Sequence, residues 1–181
     1  AFLDSAVSNN DKASLEVLQS MGLNLIPIEL PDFPTQSLSF VLQAEAAAAF
    51  DELTRTNKDD KMVRQVQNAW PNVFREARFI PAVEYINANR ARTLLNQKMA
   101  ILMETIDVYL IPSFYGDNLL RTNLTGHPCV VVPNGFNDKG RPTSISFIGD
   151  LYEDGNVLAM AKAYQETTDW HKQYPPKFKI E

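Results

Sequence analysis

The stretch Thr122-Asn123-Leu124-Thr125-Gly126-His127-Pro128-Cys129-Val130-Val131-Val132-Pro133-Asn134-Gly135-Phe136 decides the fold. Its centre, Cys129 to Val132, is a continuous apolar run closed on both sides by proline. Such a run, with no polar alternation, predicts a central strand covered on both faces, with the Cys129 thiol buried in it. Asn137-Asp138-Lys139-Gly140 is a turn sequence that joins this strand to another over Thr143 to Ile148. Upstream, Val108 to Ile111 is a further apolar run, ended by Pro112.

Before Asp107 the period changes from strand-like to helical. Tyr85, Ala88, Ala91, Leu95, Met99, Leu102 and Ile106 recur at three- and four-residue steps. Pro81 suits the first position of that helix, where its absent N–H costs nothing. About 26 residues at ~1.5 Å each make a rod of ~39 Å, enough to cross a whole domain. Nearer the start, residues 11–22 predict a helix capped by Asp11 and ended by Gly22. Leu23 to Leu30 predicts a strand that Pro27 confines to an edge or an end. Ser37 to about Arg55 predicts a second helix, its alanines allowing close packing. Lys61 to Asn68 predicts a third, with Trp70-Pro71 as an interruption. Asp154 can cap a last helix that turns Val157, Ala161, Tyr164 and Thr168 inward. The tail from His171 through Pro175-Pro176 is expected to run over the surface. Together these predict one α/β unit over residues 1–181, a mixed sheet with long flanking helices.

Composition narrows the function classes. The 181 residues are 45% hydrophobic and 22% charged, a globular profile rather than a disordered one. No apolar run approaches the ~20 residues that span a bilayer, so no membrane partner is expected. A single cysteine rules out an intrachain disulfide and argues against a thiolate zinc site. A net charge of −5 argues against nucleic acid as a direct partner. That charge is uneven: −7 over residues 1–60, +5 over 61–100 and −3 over 101–181. The basic segment is expected to pair with acidic neighbours. The seven glycines are never adjacent, and neither a dinucleotide fingerprint nor a phosphate loop is present. No serine sits in G-x-S-x-G or three residues before a lysine. His127 and His171 lack carboxylates at metal-motif spacing, so no metal and no cofactor is expected. The chain opens Ala1-Phe2-Leu3-Asp4, with neither methionine nor a basic leader. The expectation is a removed leader or a cut from a longer chain, working in the cytoplasm.

The opening segment resembles the C-terminal part of the amidase signature enzymes. In these, T/A-N-L-(T/A)-G-x-P leads into an apolar strand ending P-x-G. Downstream, Ile148-Gly149, Leu158, Ala163-Tyr164-Gln165 and Thr168-Asp169-Trp170-His171 match the family's I-G … L … A-Y-E/Q … T-x-W/F-H ending. Upstream, Phe79-Ile80-Pro81-Ala82-Val83-Glu84-Tyr85 and Ala88-Asn89-Arg90-Ala91-Arg92 resemble the long helix before the D-V-x-L-x-P strand, here Asp107 to Pro112. The resemblance implies an amide hydrolase, or the A subunit of a tRNA-dependent amidotransferase, working through a Ser–cis-Ser–Lys triad. The glycine/serine-rich segment that carries the serines in this family has no counterpart here. A serine needs a base to attack, and its acyl intermediate needs positioned N–H donors. The resemblance therefore implies the C-terminal part of the fold with no catalytic residue. Its partners would be a missing N-terminal half and a small-molecule carboxamide, and an exposed apolar surface would favour a homo-oligomer. The alternative is a scaffold or binding module that has lost catalysis.

What this part can supply is pocket wall. Ser113-Phe114-Tyr115-Gly116-Asp117 follows a strand end, where α/β folds place ligands. Phe114 and Tyr115 are candidates to contact substrate, against packing on Leu119 or Leu120. Asp117 lies one residue from the position of an acidic residue that binds a substrate amine in glutaminyl amidotransferase relatives. Asn123, Thr125 and Arg92 complete the substrate-binding candidates. The alternatives are a turn held by Asn123, a cap made by Thr125 and an inter-element salt bridge made by Arg92.

Overall fold

A computed structural model describes residues 1–3, 8–175 and 178; of the expected surface tail, Pro176 lies outside these. The chain divides into two compact units, residues 1–32 with 97–181, and residues 33–96.

The first unit is built on a five-stranded mixed sheet. Its strands are β1 (Phe2–Leu3), β2 (Pro27–Ile28), β3 (Val108–Pro112), β4 (Cys129–Phe136) and β5 (Pro142–Gly149), in the order β2-β1-β3-β5-β4. β1 is parallel to β2 and β3, whereas β5 is antiparallel to both β3 and β4. Helices α1 (Asn9–Ser20) and α7 (Asp154–Thr168) supply Leu18, Val157, Ala161 and Tyr164 to a core shared with Val108, Leu110, Val132, Ile145 and Phe147. Val108 to Ile111 is buried throughout, as a continuous apolar run requires. β2 is an edge strand, in keeping with Pro27, but spans only two residues.

Two expectations fail at β4. It is the opposite edge of the sheet, not a central strand, and Cys129 is exposed rather than buried. Val130 and Val132 face the α1/α7 core, while Val131 on the other face is 56% exposed. An apolar run reports that a strand can be covered on both faces; it does not supply the cover.

Caps also differ from the reading of the sequence. Ser8, not Asp11, caps α1: the Ser8 hydroxyl accepts from Asp11 N, and the Asp11 carboxylate accepts from Ser8 N at 2.9 Å. Asp154 is the first residue of α7 and makes no side-chain cap. Gly22 follows α1 at φ +84°, the left-handed conformation expected of a helix terminator.

Gly149 shows what the Ile148-Gly149 pair is for. A Cβ on it would sit 2.2 Å from Val157 Cγ2, so α7 can approach the end of β5 only over a glycine. Its N–H donates to Pro128 O at 3.1 Å. Gly149→Ala is expected to cost about 1–3 kcal/mol through overpacking. Urea unfolding checks this, and a midpoint equal to that of the parent chain would refute the close approach.

The second unit is helical: a 3₁₀ turn at Thr35–Leu38, α2 (Phe40–Ala49), α3 (Asp51–Arg55), a 3₁₀ turn at Lys58–Lys61, and α4 (Trp70–Ala77). The predicted Ser37–Arg55 helix breaks at Phe50, whose ring stacks on Phe74 at 5.2 Å. Lys61–Asn68 is not an α-helix, and Trp70-Pro71 begins one instead of interrupting it. Proline is tolerated in a first turn because its missing N–H has no intrahelical acceptor there. The basic segment pairs with acids as expected. Arg75 meets the fully buried Asp59 at 2.5 Å, Arg78 pairs with Asp51, and Arg92 lies 3.7 Å from Glu45.

α5 (Ala82–Met103) begins just after Pro81 and runs unbroken through 85–102, as the periodicity predicts, but at 22 residues it stops short of Ile106. Ala88, Leu95 and Met99 are buried on one side. Val83, Leu94 and Ile101 are all more than half exposed. They are spaced by eleven and seven residues, both close to whole turns, so they form an apolar stripe along the helix.

Candidate functional site

The loop after β3 is the part of the sequence-predicted site that can meet a ligand. Phe114 has φ +65°, rare for an aromatic residue, and its side chain is 84% exposed. Leu119, offered by the sequence as its packing partner, is also exposed. Tyr115 is half-buried, and its N–H donates to Pro112 O at 3.1 Å. Gly116 also takes positive φ, +55°. These two left-handed residues, either side of Tyr115, turn the chain tightly from β3 into α6 (Asn118–Thr125).

α6 fixes the base of this loop. Arg121 Nη2 donates to Asp117 Oδ2 at 3.2 Å, one helical turn back, and the Arg121 side chain is 4% exposed. Its Nε and Nη1 are buried without a hydrogen-bond partner among the described residues. Tyr109 donates its hydroxyl to Asn118 Oδ1 at 2.8 Å, and burial pushes the Tyr109 phenol well above its ordinary pKa of 10. Ser113 and Ser146 share a hydrogen bond of 2.9 Å between neighbouring strands. Although Cys129 is exposed as a residue, partial burial of its sulfur pushes the thiol up, and a hydrogen bond with Ser146 pulls it the other way. A thiol so placed stays protonated and is a poor nucleophile.

Asn123 and Thr125 hold α6 itself. Asn123 Nδ2 donates to Leu119 O at 2.7 Å, and the Thr125 hydroxyl to Arg121 O at 2.9 Å. Gly126 then closes the helix at φ +82°. The structure thus brings Phe114, Tyr115 and Asp117 together in one loop and sets Asn123 and Thr125 on the helix behind it. Arg92 lies in the other unit, engaged with Glu45. Sequence reasoning missed Arg121, Asn118 and Tyr109. The i, i+4 spacing of Asp117 and Arg121 could have found the first of these; the Tyr109–Asn118 bond has no local signal.

Among the described residues no serine hydroxyl is hydrogen-bonded to a lysine or histidine. Ser14 bonds Asn10 O and Tyr164, Ser113 bonds Ser146, and Ser8 bonds Asp11. No group of three or more His, Cys, Asp or Glu among them could hold a metal ion, and no helix is long and apolar enough to cross a membrane. The arrangement can shape and polarise a pocket wall, and it contains no activated nucleophile.

Comparisons with known proteins agree with this geometry. No family model matches the chain. The A subunit of glutamyl-tRNA(Gln) amidotransferase from Rippkaea orientalis is 23% identical across 96% of this chain and 44% of its own. Its counterpart from Acaryochloris marina is 31% identical across 50% of this chain and 23% of its own. Among solved structures, a bacterial aryl acylamidase of the amidase signature enzymes superposes with a TM-score of 0.73 at 16% identity, over 94% of this chain and 42% of that one. The peptide amidase of Stenotrophomonas maltophilia gives 0.71 at 20% identity, over 94% and 41%. Over these shares the fold is thus that of a part of the amidase signature enzymes. The chain is a relative of that family and corresponds to the C-terminal part of its fold, spanning about two fifths of the length of these full-coverage relatives.

Proposed function

We propose that this chain is the non-catalytic C-terminal portion of an amide hydrolase that converts a carboxamide to a carboxylate plus ammonia or an amine. The observation that carries the reading is that 94% of the chain superposes on two fifths of an aryl acylamidase. Its described serines, meanwhile, make no hydrogen bond to a lysine or histidine side chain. The Ser–cis-Ser–Lys machinery then belongs to the remainder of the fold. This chain's task is to present the Phe114–Asp117 loop to the substrate, braced by α6. The open edge of β4 and the Val83–Leu94–Ile101 stripe are apolar surfaces of the kind that mark a partner, either the rest of the fold or a second copy.

A second reading has its own support, since the curated relatives are amidotransferase A subunits. In that case the ammonia released from the amide would pass to a tRNA-bound acyl group rather than to water.

Reconstitution tests the proposal. The chain is combined with the N-terminal portion of an amidase signature enzyme, fused or in trans, and ammonia release from simple carboxamides is followed. Serine-dependent hydrolysis supports the reading, and conversion of glutamyl-tRNA to glutaminyl-tRNA, with an amide donor and a nucleoside triphosphate to activate the carboxylate, supports the second. In the reconstituted enzyme Asp117→Ala is expected to raise KM with little change in kcat, because a loop that only binds contributes equally to ground and transition states. An unchanged KM would remove Asp117 from the pocket.

A further inference from the structure

His127 stands at the junction of α6 and β4 with its side chain fully buried. Its tautomer follows from one hydroxyl proton. Thr125 has a single hydroxyl hydrogen, and it is given to Arg121 O at 2.9 Å. The Thr125 oxygen, 2.8 Å from His127 Nδ1, then serves that nitrogen as an acceptor, an arrangement that favours the hydrogen on Nδ1. Nε2 is left with a bare lone pair, buried and without a donor among the described residues.

That lone pair faces a second acceptor. Asp150 Oδ1 lies 3.9 Å from Nε2, at the turn between β5 and α7, where it also accepts from Leu151 N at 2.8 Å. Of the other charged groups packed around the junction, Arg121 is turned to Asp117, and Glu153 accepts from Asn156 Nδ2 at 2.9 Å. Asp150 is the one carboxylate within ion-pair reach of the imidazole among the described residues. Burial holds His127 below its ordinary pKa of 6.5, and the Asp150 charge opposes that shift without cancelling it. At neutral pH the ring is therefore uncharged, and two acceptors confront each other across the gap.

We propose that His127 and Asp150 form a proton-operated latch between the α6–β4 junction and the β5–α7 turn. One proton taken from solvent at Nε2 makes that nitrogen a donor to Asp150 Oδ1. Nε2–H then draws the Asp150 carboxylate in from 3.9 Å, and at hydrogen-bond distance the contact is a charge-assisted hydrogen bond, while Nδ1–H keeps its bond to Thr125. The other end of that chain of bonds is the Arg121 backbone, on the helix that braces the Phe114–Asp117 loop. Acidification would thus add a second tie between the substrate-side helix and the β5–α7 turn, beside the Gly149 N–Pro128 O bond, and neutral pH would remove that second tie. The latch rests on the geometry of this chain alone and holds whichever reading of the function is correct.

The test is an imidazole nitrogen and carboxyl carbon NMR titration of the whole ¹³C,¹⁵N-labelled chain, with His171→Gln assigning the second ring. The expected spectrum at neutral pH is that of an Nδ1–H tautomer. On acidification it should give way to the doubly protonated ring with a midpoint below 6.5, and the Asp150 carboxyl carbon should move at the same midpoint. Asp150→Asn keeps the oxygen that Leu151 N needs but removes the charge. It should lower the His127 midpoint by about 0.7 pH unit, the Coulomb effect of a screened charge near 4 Å. An Nε2–H tautomer at neutral pH overturns the proposal, as does a midpoint unmoved by Asp150→Asn. If that variant does not fold, the wild-type tautomer decides: Nδ1–H upholds the latch and Nε2–H ends it.

Discussion

Assayed alone, the 181-residue chain is expected to release no ammonia or amine from a carboxamide above the buffer background. Amide cleavage in water is slow, and enzymes that achieve it lower the barrier enough for accelerations of ~10⁶ or more. That requires a nucleophile with a base beside it and donors aimed at the oxyanion. Among the described residues, several of the groups that could attack an amide are engaged elsewhere. The Ser14 hydroxyl is shared with Asn10 O and Tyr164, Ser113 and Ser146 hold each other, and His127 Nδ1 is bonded to Thr125. Cys129 is held as a thiol by its surroundings. Ammonia release coupled to a dehydrogenase checks the expectation. Turnover at enzyme-like rates by the chain alone would mean that a catalytic centre exists in it.

The second large effect is on stability. Phe147→Ala is expected to cost about 3–5 kcal/mol, the range for deleting a buried aromatic ring from a core. Phe147 is fully buried in the middle of β5, paired with Leu110 on one side and Val130 on the other. Its ring lies 5.7 Å from that of Tyr164, which is itself tied to Ser14 on α1 at 2.9 Å. The cavity would therefore open where the sheet, α1 and α7 meet, and neighbours pinned by hydrogen bonds have little freedom to fill it. The urea midpoint should fall sharply with an unchanged slope. Val131→Ala, on the open face of the neighbouring strand, should stay within about 0.5 kcal/mol. A Phe147→Ala chain within about 1 kcal/mol of its parent, well below the range for core deletions, would show that the core is not centred there.

Local pattern makes the long helix and β3 legible in the sequence. The helix declares itself through Pro81 and the steps from Tyr85 to Met99, and β3 through an apolar run that really is covered on both faces. β4 misleads because the same kind of run occurs at an edge, and the covering of an edge strand is a tertiary fact. α6 is hidden for a different reason. Its Thr122, Asn123 and Thr125 are weak helix formers, and the helix is held by their side chains bonding backbone carbonyls three and four residues back. The Phe114–Asp117 loop can be placed from its position after a strand. The Tyr109–Asn118 and His127–Asp150 contacts cannot, since each joins elements that only the folded chain brings together.

The most direct measurement of the central claim is intact-mass analysis after exposure to a fluorophosphonate, which labels only an activated serine. No adduct is expected on this chain alone. After reconstitution with the N-terminal portion of the fold, a single adduct mapped outside residues 1–181 is expected. A stoichiometric adduct on any serine within the chain would contradict the claim.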